Sequence, residues 1–437
     1  MGTTVTQRLY GMMPCMNSPL SDLYDPARHE ALMDAVWSDD AAHAAIGRIC
    51  AAAEREFDET EGGWLLHPKD DPQVPGARSV NAYWGATGVM WALRDLASQG
   101  AVLPVRDYTP WIEALPDRAR LEAADEQHGT ASYLFGEGAP LLLAWQTTRR
   151  ADFADRLHDL VRGNLHNPAH EALWGNGGTL LAATAMAEAD LPAAERARWQ
   201  ALVHDGAQAL LDDMVREPDD GHWLWRQDLY GRVRHHLGAG HGLAGNAYPV
   251  LRAAGLVDAN VVDALLQRCF DTLSATALQA VTTGPDGGVP VANWQPITER
   301  ERIAAALAAG QRPLVQDCHG APGIVCRLAT APAPWDALLR AAGEMTWVAG
   351  PLAKGSSLCH GTAGSAMACL KLWERFAEPT WLQRARQLAM HAAEQVEQAR
   401  ASHGHGRYSL WTGDLGVACV LWNCVRGAAC FPMLDRC

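Results

Sequence analysis

Several things are missing from this chain, and each absence narrows what it can be. Nowhere do about 18 apolar residues run together, so no membrane-spanning helix is expected. The first twenty residues, MGTTVTQRLYGMMPCMNSPL, lack the charged-then-apolar layout of a secretory signal. Basic residues are outnumbered: 36 Lys and Arg stand against 50 Asp and Glu, a net charge of −14, and no Lys/Arg run breaks the pattern. A protein that grips nucleic acid presents basic surface, so nucleic acid is excluded as a partner. Long Val/Ile-rich runs are absent too, and Ala and Leu dominate the apolar set, which favours helix over sheet. There are no low-complexity tracts and no clean linker, so the chain reads as one body despite its length.

What is present supports a large core. Of 437 residues, 48% are hydrophobic and 20% charged. The 11 cysteines are an odd number spread over a long chain, which points to free thiols in a reducing, cytoplasmic setting. Cys269, Cys369, Cys419 and Cys424 lie in apolar helical stretches and read as core fillers. The opening Met-Gly-Thr-Thr-Val-Thr fits a myristoylation pattern, a short one that many chains carry by chance.

The strongest pattern is a repeat. Gly-x-x-Gly followed by a small, apolar segment recurs as YWGATGVMWAL, LFGEGAPLLLAW, LWGNGGTLLAAT, GHGLAGNAYPVL, CHGAPGIVCRL, CHGTAGSAMACL and WTGDLGVACVL. The first glycines are Gly85, Gly136, Gly175, Gly242, Gly320, Gly361 and Gly413. Spacings of roughly 40 to 80 residues leave room for two helices per unit. Apolar residues follow at helical period: Val89, Ala92, Leu93 and Leu96, then Ala366, Cys369, Leu370 and Trp373, then Val417, Val420, Leu421 and Cys424. Between them lie more polar segments such as LPAAERARWQALVHDGAQALLDDM, amphipathic rather than apolar all round. Apolar helices alternating with amphipathic ones predict two concentric rings, with the glycines allowing tight turns where each inner helix begins. The expected loops are HPKDDPQVPGARSV and TTGPDGGVPVANWQP. Residues 1–78 read as one or two helices packed on the toroid, and 79–437 as the seven-repeat unit.

Three of the glycine turns carry unusual chemistry: Cys318-His319, Cys359-His360 and His241. Thiolate and imidazole are preferred zinc ligands, and a catalytic zinc keeps three protein ligands and one open position. Cys318, Cys359 and one of the two histidines meet that count; both Cys with both His would make a closed structural site instead. An acid or base is needed beside such a centre. His241 is available, and Glu171 sits at the entrance to the neighbouring turn, where a carboxylate can orient and charge-stabilise that imidazole.

Gly-Ala-Gly-His-Gly-Leu-Ala-Gly (238–245), Cys-His-Gly-Ala-Pro-Gly (318–323) and Leu-Cys-His-Gly-Thr-Ala-Gly (358–364) resemble the lanthionine synthetase C-like proteins. The likeness runs from about residue 80 through the closing YSLWTGDLGVACVLW and FPMLD, and His319 after the first cysteine is similar to the stand-alone, eukaryotic-type branch. The resemblance implies an all-α fold, an α/α toroid of seven inner and seven outer helices, with Zn2+ at one end. It implies Cys318, Cys359 and His360 as ligands, His241 as the catalytic histidine, Glu171 as the acidic residue near it, and Lys354 as a glutathione contact. His319 would then lie beside the metal or face the substrate. The implied reaction is addition of a thiol, glutathione or a peptide cysteine, to dehydroalanine or dehydrobutyrine in a protein or peptide, giving a thioether. Glutathione is the favoured thiol. A lanthionine cyclase acting on a precursor peptide's own cysteines and a non-catalytic zinc-containing scaffold are the alternatives. A six-helix prenyltransferase-like toroid is disfavoured by the sevenfold glycine count. Two positions depart from the family: Asp317 stands where Trp usually precedes the first cysteine, and Ala139 replaces the second glycine of the second repeat.

Overall fold

The computed structural model describes residues 19–70, 74–104, 106–283 and 288–437, so the myristoylation pattern lies outside the described residues. Sixteen α-helices follow one another along them: α1 (Asp39–Arg55), α2 (Ala86–Ser98), α3 (Thr109–Ile112), α4 (Leu115–Glu122), α5 (Gly138–Thr148), α6 (Ala151–Gly163), α7 (Asn176–Glu188), α8 (Ala193–Asp212), α9 (Leu243–Arg252), α10 (Ala259–Thr276), α11 (Arg300–Ala308), α12 (Ala321–Leu328), α13 (Asp336–Ala349), α14 (Thr362–Phe376), α15 (Pro379–His403) and α16 (Asp414–Arg426).

The glycine repeats start the helices α2, α5, α7, α9, α12, α14 and α16, and these seven close into a ring. Each packs on the next in that order, and α16 packs back on α2. Burial separates the two layers: α7 buries eleven of its 13 residues, whereas α8 buries eight of its 20. The outer positions are taken by α1, the α3–α4 pair, α6, α8, α10, α13 and α15. The fold is therefore an α/α toroid. Its seventh inner helix, α16, is covered on the outside by α1 from the other end of the chain. Proline breaks the outer unit between α2 and α5 in two, with Pro110 and Pro116 each at the start of a short helix.

The second glycine of the motif is required by close approach. A Cβ on Gly323 would lie 1.8 Å from the Asp317 carbonyl, and one on Gly364 would lie 2.2 Å from that of Leu358, six residues back in each case. The inner helix thus rests directly on the backbone of its own turn. At Ala139 the same contact opens: α5 starts one residue later, after Glu137 rather than the first glycine, and the Ala139 N–H donates to the Tyr133 carbonyl at 3.1 Å.

The turns themselves are tied into a circle. Gly240 N donates to Cys318 O (3.0 Å), Cys318 N to Cys359 O (3.2 Å), Cys359 N to Trp411 O (3.0 Å) and Trp411 N to Tyr83 O (3.0 Å). Ala82 N donates to Leu134 O at 2.9 Å, Ser132 Oγ donates to Leu173 O, and Asn246 Nδ2 donates to His170 O at 2.7 Å. All seven turns therefore meet at one end of the ring. The C-terminal segment closes the ring's interior: Asp435 takes Lys371 Nζ at 2.5 Å and the Tyr248 hydroxyl, while Tyr133 donates to Met433 O at 3.0 Å.

Three small antiparallel hairpins interrupt the helical plan: β1 (Val215–Arg216) with β2 (Trp223–Leu224), β3 (Gln227–Leu229) with β4 (Arg232–Arg234), and β5 (Leu278–Val281) with β6 (Pro290–Asn293). The segment expected as a loop at 282–296 thus contains a short strand, because Pro290–Asn293 pairs back on Leu278–Val281 after α10. Tyr230 and Gly231 join β3 to β4 with φ of 52° and 71°, the positive angles that a two-residue primed turn needs.

Candidate active site and metal centre

The circle of turns surrounds a cavity of about 940 Å³, and His241, Cys318, His319, Lys354, Cys359 and His360 all line it. Glu171 does not; it is fully buried behind His241.

The two Cys-His-Gly turns are neighbours because α12 and α14 are adjacent in the ring and the Cys318 N–H donates to the Cys359 carbonyl. The donor atoms of Cys318, Cys359 and His360 all fall within 4.8 Å of one another, the one such group among the described residues. His360 Nε2 lies 3.5 Å from Cys359 Sγ. Tetrahedral zinc, with Zn–S near 2.3 Å and Zn–N near 2.0–2.1 Å, sets a sulfur-to-nitrogen ligand separation of about 3.6 Å. The residues present therefore fit zinc. Both thiols are buried, and burial together with the adjacent Cys318 thiol pushes the Cys359 thiol well up, so it needs a cation to ionise. Gln316 Nε2 donates to Cys318 Sγ at 2.9 Å, which favours negative charge on that sulfur.

His319 is set apart from this group. It packs against His241 and His236, with ring centroids 5.9 and 5.7 Å away, and His236 stands 5.9 Å from His241. Burial, and then the neighbouring imidazoles of His241, His236 and His360, holds His319 well below the usual histidine range, as a neutral ring. Burial likewise pushes His236 down to about 4.

His241 Nδ1 lies 3.0 Å from Glu171 Oε2, and the other oxygen of that carboxylate accepts the backbone N–H of Trp174. The turn before α7 thus fixes the carboxylate, and the carboxylate fixes the imidazole on the next turn. With Nδ1 held, Nε2 is the atom left for proton exchange. Lys354 is exposed on the loop leading into the second Cys-His-Gly turn, at the cavity wall.

Asp317 is buried and does not face the ligands uncompensated. Its Oδ2 lies 2.8 Å from Nη2 of Arg327, itself buried on α12 and stacked 4.4 Å over the Phe431 ring. Burial pushes the Asp317 carboxyl up, and Arg327 pulls back part of that rise. The charge beside Cys318 is therefore neutralised by a cation ten residues on in the same helix-turn unit.

Gln316, His236 and Arg327 escape a reading by motif. The signal for Arg327 was a lone charge in an otherwise apolar inner-helix segment, CRL after CHGAPGIV.

A seven-plus-seven helical ring whose turns collect two thiols and three imidazoles in one cavity defines a toroid with a Cys/His metal centre. The sequence model of the lanthionine synthetase C-like protein family matches residues 37–434, and the chain belongs to that family, whose members typically bind zinc and form thioethers. It is 29% identical over 168 residues to "Glutathione S-transferase LANCL1" of Danio rerio, a match covering 37% of this chain and 35% of that protein. The chain thus spans about a third of the length of that curated relative. Nisin cyclase has a similar fold, with a TM-score of 0.57 at 14% identity over 88% of this chain and 94% of its own. Among the described residues, no helix is long and apolar enough to cross a membrane.

Proposed function

We propose that this protein adds a thiol, glutathione first, to dehydroalanine or dehydrobutyrine residues of a protein or peptide, forming a thioether. One observation carries the reading: a Cys/Cys/His donor set and a carboxylate-held imidazole share a single cavity on adjacent turns. Cys318, Cys359 and His360 would hold zinc, which when bound supplies the positive charge that keeps a substrate thiol ionised at neutral pH.

The remaining work falls to the chain's own residues. As sulfur bonds to the β-carbon, the Cα–Cβ π pair moves toward the carbonyl and an enolate forms. His241, oriented by Glu171, delivers the Nε2 proton to the α-carbon and completes the addition. Lys354 takes a carboxylate of the thiol substrate by charge-assisted hydrogen bonding. His319, a neutral ring between His241 and the ligand turn, faces the substrate. The name of the glutathione transferase relative and the presence of Lys354 favour glutathione; the nisin cyclase fold favours a peptide's own cysteine as the second reading. Residues 79–437 would carry the inner ring and the catalytic groups, and 1–78 would be a helical segment packed on them that supplies the outer helix α1 over α16. Ten free cysteines among the described residues support a reducing, cytoplasmic setting.

His241→Ala separates catalysis from mere binding. Turnover should fall at least about a hundredfold while bound zinc stays near one equivalent. Turnover at the wild-type rate with zinc retained would move the weight to a scaffold.

A further inference from the structure

The residue before the first glycine divides the circle of turns in two. In three consecutive repeats it is aromatic, Trp84, Phe135 and Trp174; in the next three it is His241, His319 and His360. The same backbone register thus presents reactive imidazoles on one arc of the mouth and apolar rings on the other.

The aromatic arc is continuous. Phe135 lies 5.1 Å from Trp84 and 4.8 Å from Tyr83, and it stacks on Trp174 at 5.1 Å with the rings 21° apart. Tyr83 stacks on Trp411 at 5.8 Å. At the other end Trp174 Nε1 donates to the Tyr230 hydroxyl at 3.3 Å, and Tyr230 meets the edge of His241 at 6.2 Å. Tyr83, Trp84, Phe135, Tyr230 and Trp411 all line the cavity that holds the cysteines. Tyr230 is 62% exposed, held at the cavity's rim by a primed turn.

We infer that this arc is the subsite for the electrophilic peptide: it seats a large apolar side chain flanking the dehydroamino acid. The inference rests on the thioether-forming reading and adds the class of acceptor. Its position follows from continuity. A side chain resting on Trp84 and Phe135 leaves the neighbouring dehydroamino acid beside Tyr230 and His241, while the thiol comes in over the cysteines. A charged flanking side chain would lose its hydration against the Trp84 and Phe135 rings.

The test uses the full-length protein with zinc, glutathione and three dehydrobutyrine peptides that carry Phe, Gly or Asp beside the reactive residue. Wild type should prefer the Phe peptide over the Gly peptide by about tenfold or more in kcat/KM, and the Asp peptide should be poorest. Phe135→Ala and the milder Phe135→Leu should erode that ratio, through the peptide's KM, with the KM for glutathione unchanged. A ratio of two peptides is independent of how much variant folds, so poor folding does not blunt the result. Equal kcat/KM for all three peptides in wild type, or an unaltered ratio in both variants, overturns the subsite while leaving the reaction intact. Should wild type modify none of them, the thioether reading fails instead. Calorimetric binding of the same peptides with Ala in place of dehydrobutyrine then decides the subsite alone: a Phe preference supports it, and equal or absent binding overturns it.

Discussion

Removing the Arg327 guanidinium tests how the toroid tolerates a carboxylate next to its candidate metal ligands. Asp317 is 1% exposed and Arg327 4%, and their 2.8 Å ion pair is the only one that Asp317 makes among the described residues. Arg327→Met keeps most of the aliphatic volume but strands the carboxylate. Breaking a buried pair from one side costs about 3–5 kcal/mol, and loss of the stacking on Phe431, 4.4 Å away, adds about 0.5–2 kcal/mol. Against a total stability of about 5–15 kcal/mol, that is severe. Asp317→Leu combined with Arg327→Met removes both charges and should recover most of the loss, since an apolar replacement of a buried pair is often neutral. Arg198–Asp155 is the control, with the same 2.8 Å separation but side chains 43% and 63% exposed; Arg198→Met should cost less than about 1 kcal/mol. Urea unfolding of the four proteins measures all of this. If Arg327→Met cost no more than Arg198→Met, or if the double variant were no better than the single one, the buried-pair account would be wrong.

Three further outcomes follow from the geometry. Cys318→Ala or Cys359→Ala should drop bound zinc well below one equivalent by elemental analysis, and unchanged metal content would refute the ligand assignment. Lys354→Ala should raise the KM for glutathione more than it lowers kcat; an unaltered KM removes Lys354 from the site. Burial, and after it Arg407, His403 and His405, pushes His67 down to about 4, so the folded chain resists a proton that the unfolded chain takes up near 6.5. The stability linked to His67 is therefore fully present above pH 6.5 and is lost as pH falls toward 4, with a slope of up to about 1.4 kcal/mol per pH unit. His67→Gln should flatten the decline between pH 7 and 5 in urea titrations, and an identical slope would show that His67 titrates normally.

The inner ring was legible because its cause is local. Each second glycine lies against a carbonyl six residues back, so the motif had to recur wherever an inner helix begins, and Gly323 and Gly364 could be found by eye. The thiols and imidazoles were legible for the same reason, since they ride on those turns. What escaped depends on contacts between distant segments. Nothing in the α1 segment announces that it covers α16, some 360 residues later. The hairpins of two to four residues are too short for an alternating pattern to register, and the loop-like composition of 282–296 concealed Pro290–Asn293. Asp317 read as a bare charge beside a metal ligand because its partner lies inside an apolar helix, where a lone arginine carries no motif. The split of the mouth into aromatic and imidazole arcs was present in the seven aligned turns, yet only the closed ring reveals that like residues stand side by side.

The central claim is that one cavity brings a metal-held thiol and a carboxylate-held imidazole to the same electrophile. Mass spectrometry of a dehydrobutyrine peptide incubated with the purified protein and glutathione, with and without a zinc chelator, tests it most directly. The account predicts a gain of one glutathione mass that the chelator abolishes. A peptide left unmodified by protein that carries a full equivalent of zinc would contradict it.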